Sequence, residues 1–241
     1  MKFYQSSLLN KFTNIITSFT TKEDANLAFH VNDNKIKVIQ NHKNLSQKHH
    51  YDLQSLIHMK QIHSNKVLEV QTEHNFDNPP TCDALITNKP NTPLMVMVAD
   101  CLPIIFYDDK TKTIAVAHAG RAGAFHNIVK NVIDAFKNDF GANISEIVVS
   151  IGPAICQSCY EVGSEIFEEA NQLNLEYALL NDNGKYYLDI RKILIKQLLK
   201  LGIQKENLEV SAECSSCNTK DYYSYRKEGS TGRFCGLIVL K

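Results

Sequence analysis

Cys101 and His118 stand at the two ends of a segment that reads as a β-hairpin. Leu102-Pro103-Ile104-Ile105-Phe106-Tyr107 and Thr113-Ile114-Ala115-Val116-Ala117 are apolar and β-favouring, and the polar stretch Asp108-Asp109-Lys110-Thr111 separates them. With a turn centred between Asp109 and Lys110, Asp108 faces Thr111, Ile105 faces Ile114 and Cys101 faces His118. Directly opposed residues hold their Cβ atoms about 4.5–5.5 Å apart. In this register a thiolate and an imidazole either share a metal ion, or the imidazole activates the thiolate as a nucleophile. A turn one residue longer would spoil the register.

A catalytic zinc ion takes three protein ligands and keeps a fourth position open. His63 is the best third ligand, because it lies in a bend, His63-Ser64-Asn65, between Leu56–Ile62 and Lys66–Val70, both of which read as strands. His49 and His50 fall in a polar, solvated segment, and His126 lies off the apolar stripe of its helix and is expected to be peripheral. Asp100, next to Cys101, is the residue that would close the site with a fourth ligand and turn it into a structural one. A second candidate is a four-thiolate zinc site from Cys156-Gln157-Ser158-Cys159 and Cys214-Ser215-Ser216-Cys217. Zinc-ribbon pairs usually lie about 15–20 residues apart. These are separated by 54 residues, so two distant loops must converge. Neither pair has the surrounding βαβ pattern of a thioredoxin. Near the C-terminus, Tyr222–Arg233 is rich in tyrosine, glycine and arginine. Arg226 and Arg233 could grip a phosphate or carboxylate, and the tyrosines could stack on a base or sugar.

The elements that must position these groups follow from periodicity. Leu94–Ala99 is continuously apolar, a strand covered on both faces that delivers Asp100-Cys101 at its carboxyl end. Phe125, Ile128, Val129, Val132, Ile133, Phe136 and Phe140 recur at helical spacing and stop at Gly141. Ile147–Ile151 reads as a buried strand. Ser164 is expected to cap a helix towards Leu173, and Asp189 one that ends at Gly202. Ile15–Phe19, Ile36–Ile39 and the polar Asn41–Tyr51 read together as strands with one short helix, and Gly236–Leu240 as the last strand. Hairpins mixed with helices exclude a simple doubly wound repeat and predict an α+β fold of mixed β-sheets layered between helices.

With 241 residues, 44% hydrophobic and 22% charged, the chain is read as one domain over residues 1–241 with a substantial core. Lys+Arg and Asp+Glu are both 26, which gives no electrostatic footprint for nucleic acid or an anionic membrane. A small-molecule substrate is expected, and the oligomeric state leaves no signature. Polar residues interrupt Met1–Ser18, so it does not read as a secretory leader. No apolar run approaches spanning length. Seven cysteines without a leader favour metal binding or catalysis in the cytoplasm over a disulfide framework.

Seven stretches in order, Lys60-Gln61-Ile62-His63-Ser64, Asp83-Ala84-Leu85-Ile86-Thr87, Ala99-Asp100-Cys101-Leu102-Pro103, Ala117-His118-Ala119-Gly120, Ile151-Gly152-Pro153-Ala154-Ile155, Cys159-Tyr160-Glu161-Val162-Gly163 and Tyr223-Ser224-Tyr225-Arg226, resemble one family. It is the laccase-domain family, also called purine nucleoside phosphorylase or multicopper polyphenol oxidoreductase, which includes the peptidoglycan-editing factor. The resemblance implies the fold of the cytotoxic necrotizing factor catalytic domain and a zinc held by His63, Cys101 and His118. It also makes Arg226 a functional arginine. Cys101, His63, His118 and Arg226 are thus the expected catalytic residues, with Arg226, Arg233, Gln61 and Tyr160 at the substrate. The chain departs from the family's His-Ala-Gly-Trp-Arg-Gly by carrying Arg121-Ala122 after Gly120. It also has Lys22-Glu23-Asp24-Ala25 where the family has a double glycine.

The activity this implies is zinc-dependent phosphorolysis of adenosine, inosine, guanosine and methylthioadenosine, with adenosine deamination beside it. A second expectation is an amidase that edits peptidoglycan precursors, with Cys101 as nucleophile or with zinc. A multicopper oxidase fits poorly. It needs roughly ten histidines, largely in His-X-His pairs, and this chain has nine and no such pair. Copper remains an alternative occupant of the three-ligand site. A metal-stabilised binding protein is the non-enzymatic alternative.

Overall fold

The structure is a computed structural model that describes residues 3–241. Met1 and Lys2, which open the segment read as no leader, lie outside them. Strand β1 (Ile15–Phe19) leads to helix α1 (Lys35–His49), which is capped by Asn34 accepting from the amides of Ile36 and Lys37. Beyond β1, the expected mixture of strands with one short helix is therefore a single helix from Ile36–Ile39 through most of the polar segment after it. The cap and the buried stripe Val38, His42, Leu45 outweigh a short β-favouring run. Leu56–Ile62 is not a regular strand either. It touches its neighbours through isolated bridges, Ile57 to Leu94 and Lys60 to Thr81.

Strands β2 (Val67–Glu69), β3 (Ala84–Thr87), β4 (Leu94–Val98), β5 (Leu102–Asp108) and β6 (Thr113–Ala119) follow. The single helix expected after Gly120 is two, α2 (Arg121–Phe125) and α3 (Ile128–Phe140), because Asn127 between them takes a left-handed φ of 55°. Then come β7 (Val148–Ile151), β8 (Glu161–Val162), α4 (Ser164–Gln172), β9 (Leu179–Asp182), β10 (Lys185–Leu188), α5 (Ile190–Leu201), β11 (Leu208–Val210), α6 (Tyr225–Glu228) and β12 (Phe234–Leu240). Gly163, not Ser164, occupies the cap position of α4, whereas Asp189 caps α5 as its sequence suggests.

Three sheets form. The largest runs β11-β7-β5-β6-β3-β2, with parallel pairs at both edges and antiparallel pairs between. A three-stranded antiparallel sheet runs β1-β12-β4, and a small one β8-β10-β9. Alternation along the strands decides the layering. Ile104 and Phe106 of β5 pack with α3 and α5, whereas Ile105 and Tyr107 face Leu94, Val96 and Val98 of β4 and Ile238 of β12. On the outer side of the three-stranded sheet, Met95, Met97 and Leu237 pack with Leu45 of α1 and with Phe76. The result is mixed sheets layered between helices. Residues such as Ile104, Phe106, Val132 and Phe136 are wholly buried. Each large apolar side chain so removed from water contributes about 1.5–3 kcal/mol.

Candidate metal and substrate site

The chain leaves the three-stranded sheet at the end of β4 and enters the six-stranded sheet at β5. The crossing is Ala99-Asp100-Cys101, with Asp100 at a φ of 86°. Cys101 therefore sits at the seam of the two sheets. The hairpin register differs from the expected one: Asp108 pairs with Thr113, and His118 faces Pro103, not Cys101. The turn holds four residues instead of two because Asp108 accepts from the amide and hydroxyl of Thr111, which closes a wider loop. A shift of two residues keeps every side chain on its face. Cys101 and His118 are thus diagonal neighbours on the side facing the second sheet, still within reach of one another.

The third group arrives through Asp83. His63 takes a left-handed φ of 58° at the expected bend. Its amide donates to Asp83 Oδ1 (3.0 Å), the Ser64 amide and hydroxyl donate to Oδ2 (2.7 and 2.8 Å), and the Ile62 amide adds a fourth bond. The same carboxylate accepts from His118 Nδ1 at 2.9 Å, which turns the other ring nitrogen towards the site. The ligand atoms of His63, Cys101 and His118 lie within 4.8 Å of one another, and the two imidazoles stand edge to face at 4.7 Å. Gly120 leaves this cluster its room, since a Cβ there would meet Cys101 Sγ at 3.0 Å and His63 at 3.3 Å.

Burial alone would raise the Cys101 thiol, but the charge and hydrogen bonds of His118 and His63 prevail and hold it at about 6. Burial would likewise lower His118; the Cys101 thiolate and Asp83 prevail there and raise it to about 9. Asp83 is wholly buried, yet its bonds from His118 and Ser64 outweigh the burial and keep it at about 2. Two imidazole nitrogens and a thiolate, with the thiol already poised to ionise, make a donor set that fits zinc. Three protein donors is also the number that leaves a catalytic zinc one position for substrate or water.

These groups line a cavity of about 1120 Å³, together with Tyr160, Arg226 and Arg233. The Arg226 guanidinium lies over the Tyr160 ring at 5.0 Å and gives one bond to Glu161 O (2.7 Å). The Arg233 guanidinium spends one nitrogen on the carbonyls of Thr231 and Gly232. Both arginines retain further N–H donors. Gln61 lines the cavity as well, but its amide is engaged at both ends with the backbone of Met97, which pins the chain before His63 to β4. Asp100 does not join the ligand group. Its two oxygens accept from Ser215 Oγ (2.7 Å) and the Arg226 amide (2.6 Å), which tie Arg226 to the seam. Arg121, at the family departure, pairs with Glu169 (2.7 Å) and does not itself line the cavity. His126 is exposed at the α2–α3 junction, and His49 closes α1; neither is in the ligand group. Sequence reasoning passed over Asp83 and Gly120 as working residues, although both stand inside motifs that carry the family resemblance.

The family described as multi-copper polyphenol oxidoreductase laccase matches residues 16–241. The chain is 30% identical to a purine nucleoside phosphorylase, YlmD, of Bacillus subtilis (strain 168), over 94% of this chain and 89% of that one. It is 30% identical to an adenosine deaminase, RL5, of an unknown prokaryotic organism, over 88% of this chain and 86% of that one. The crystal structure of the hypothetical protein YfiH of Bacillus licheniformis superposes with a TM-score of 0.89 at 29% identity, covering 94% of this chain and 93% of that one.

Proposed function

The chain belongs to the multi-copper polyphenol oxidoreductase laccase family, and from that membership we propose that it is a zinc-dependent purine nucleoside phosphorylase that also deaminates adenosine. One observation carries the reading: the three donors of His63, Cys101 and His118 share one cavity with two arginines and an aromatic ring. Relatives named as a phosphorylase and a deaminase support it.

His63, Cys101 and His118 would hold the metal, which supplies Lewis acidity to the cavity when bound. In phosphorolysis a phosphate oxygen bonds to the ribose C1′ while the bond from C1′ to the purine nitrogen breaks. The electron pair leaves with the base, which takes up a proton. Arg226 and Arg233 orient the phosphate and offset its charge. Tyr160, held flat by Arg226, offers a face on which a purine or ribose can stack. Asp83 keeps the His118 tautomer and the His63 bend fixed, so the ligands need no rearrangement on binding. Thiolate ligands require a reducing compartment, so the reading includes a cytoplasmic location.

The test follows zinc content and base release from inosine and adenosine, with and without phosphate, in the wild type and in Cys101→Ala. Phosphate-dependent release, lost in the variant together with one equivalent of zinc, supports the reading. A zinc-replete protein that frees neither base nor ammonia from any purine nucleoside overturns it. The low thiol pKa of Cys101 beside two histidines favours one further reading, a Cys-His hydrolase acting on an amide, such as that of a peptidoglycan precursor. That enzyme would work without metal and die on alkylation.

A further inference from the structure

Two cysteine pairs far apart in sequence meet in space on the flank of the cavity. Cys156 and Cys159 lie in the loop that leads into Tyr160 and β8, and Cys214 and Cys217 in the loop that leads towards Arg226. All four sulfurs lie within 4.8 Å of one another. A zinc ion with bonds of about 2.3 Å holds its four sulfurs roughly 3.8 Å apart in a tetrahedron. Cys159 Sγ and Cys217 Sγ are already at 3.3 Å, well beyond the roughly 2.05 Å of a disulfide.

One of the four sulfurs is supplied with backbone donors. The amides of Cys156 and Cys217 both donate to Cys214 Sγ, at 3.3 and 3.4 Å. Backbone donors of this kind stabilise thiolate charge around a metal. Ala154 and Cys214 form an isolated parallel bridge that fixes the two loops against each other. Arg191, from the first turn of α5, spans the same junction and donates to the carbonyls of Ala154 and Glu213. Its Nε is buried without a partner, and Arg191 takes part in none of the ion pairs among the described residues. A half-buried guanidinium with one buried, unpartnered nitrogen is favoured by negative charge nearby. Four thiolates around a divalent ion carry a net charge of two minus, and Cys214 and Cys156 act electrostatically on Arg191 ahead of the carboxylates of Asp189 and Glu213.

We propose that Cys156, Cys159, Cys214 and Cys217 form a second, structural zinc site that clasps the two loops carrying Tyr160 and Arg226. Four protein ligands leave no open position, so the site is closed to substrate. Its role is mechanical. Tyr160 follows directly on Cys159, and Ser215, between two of the ligands, donates to Asp100, which in turn accepts from the Arg226 amide. The site thus positions the Tyr160–Arg226 stack without touching substrate. The Ala154–Cys214 bridge joins the two loops, which is how a 54-residue separation coexists with a four-sulfur site.

The experiment counts zinc by mass spectrometry in the full-length protein grown in zinc-supplied medium. The wild type is expected to carry two ions per chain, Cys217→Ser one, and His63→Ala with Cys101→Ala one, so each site is read without reference to turnover. Cobalt replacement separates them further: the thiolate-to-cobalt absorption of the wild type should fall severalfold in Cys217→Ser and only slightly in the His63/Cys101 variant. Should Cys217→Ser fail to fold, differential alkylation of the wild type decides. The four thiols should be protected until a chelator is added and reactive afterwards. The proposal is overturned by a single zinc in the wild type that vanishes with His63 and Cys101, by iron in place of zinc, by a Cys159–Cys217 disulfide in the native mass map, or by alkylation of the four thiols that no chelator changes.

Discussion

Replacing Asp83 by Asn tests whether the ligand cluster is built before any metal arrives. The carboxylate takes five hydrogen bonds, four from the 62–64 bend and one from His118. An amide of the same shape keeps one acceptor oxygen and turns an N–H₂ group towards donors that need acceptors. Asp83 is held at about 2 against an ordinary 3.8, and at 1.36 kcal/mol per pKa unit the lost charge alone costs about 2 kcal/mol of stability. Unpaired buried donors at the bend add about 1–3 kcal/mol. The sign is that of a depressed carboxylate: the stabilisation is present above pH 3.8 and disappears as the pH falls towards 2. Loss of the partner that orients a metal-binding imidazole also costs about 10–100-fold in metal affinity. Thermal melting of metal-free protein reads the first effect, and a zinc titration against a competing chelator reads the second. A variant that melts with the wild type and binds zinc with unchanged affinity would refute the argument that Asp83 organises the site.

Gly120→Ala should weaken zinc binding by about tenfold while the protein stays folded, because the new methyl group presses on Cys101 Sγ and His63 where the backbone φ of −80° is itself unstrained; equilibrium dialysis with zinc checks it. Arg226→Lys keeps a charge but loses the fork and the stack on Tyr160, so KM for phosphate should rise about tenfold or more with zinc content unchanged; steady-state phosphorolysis at varied phosphate is the measurement. His42 is buried between Phe29 and Phe76 and its pKa falls to about 4, first through burial. Its folded pKa lies below the unfolded 6.5, so stability is lost as the pH drops from 6.5 towards 4, by up to about 3 kcal/mol. His42→Gln should flatten that part of the urea-denaturation profile against pH.

The sequence spoke most clearly where a pattern was long or doubly marked. The run Leu94–Val98 and the α5 helix with Asp189 and Gly202 at its ends stand as read. It understated the helix around Ile36–Ile39, where a β-favouring run was too short to overrule the Asn34 cap and a buried stripe that extends to Leu45. The pairing of Cys101 with His118 was reached through a register two residues out, and it held only because a shift of two preserves the face. Asp83 could not be singled out, since its work is done by backbone amides of a bend that no side-chain pattern announces. The two cysteine pairs were legible as a candidate four-thiolate site, and the structure brings them together, but the contact that joins their loops was not. It depends on where Cys156 and Cys214 meet beside Arg191, a contact between residues 58 apart.

The passage of the chain from one sheet to the other at Asp100-Cys101 divides the labour of the cavity. His118 and the Asp83-bound bend of His63 are fastened to the six-stranded sheet, while Arg233 runs directly into β12 of the three-stranded one. A molecule spanning from the ligand cluster to the arginines would therefore bridge two slabs whose covalent link at that point is three residues, Ala99-Asp100-Cys101. Tight occupants should act as rivets, slowing amide exchange in β12 and β6 together. The two walls can also be re-engineered separately: the arginine-bearing loop can be altered to change what is bound while the other slab goes on holding its donors in place.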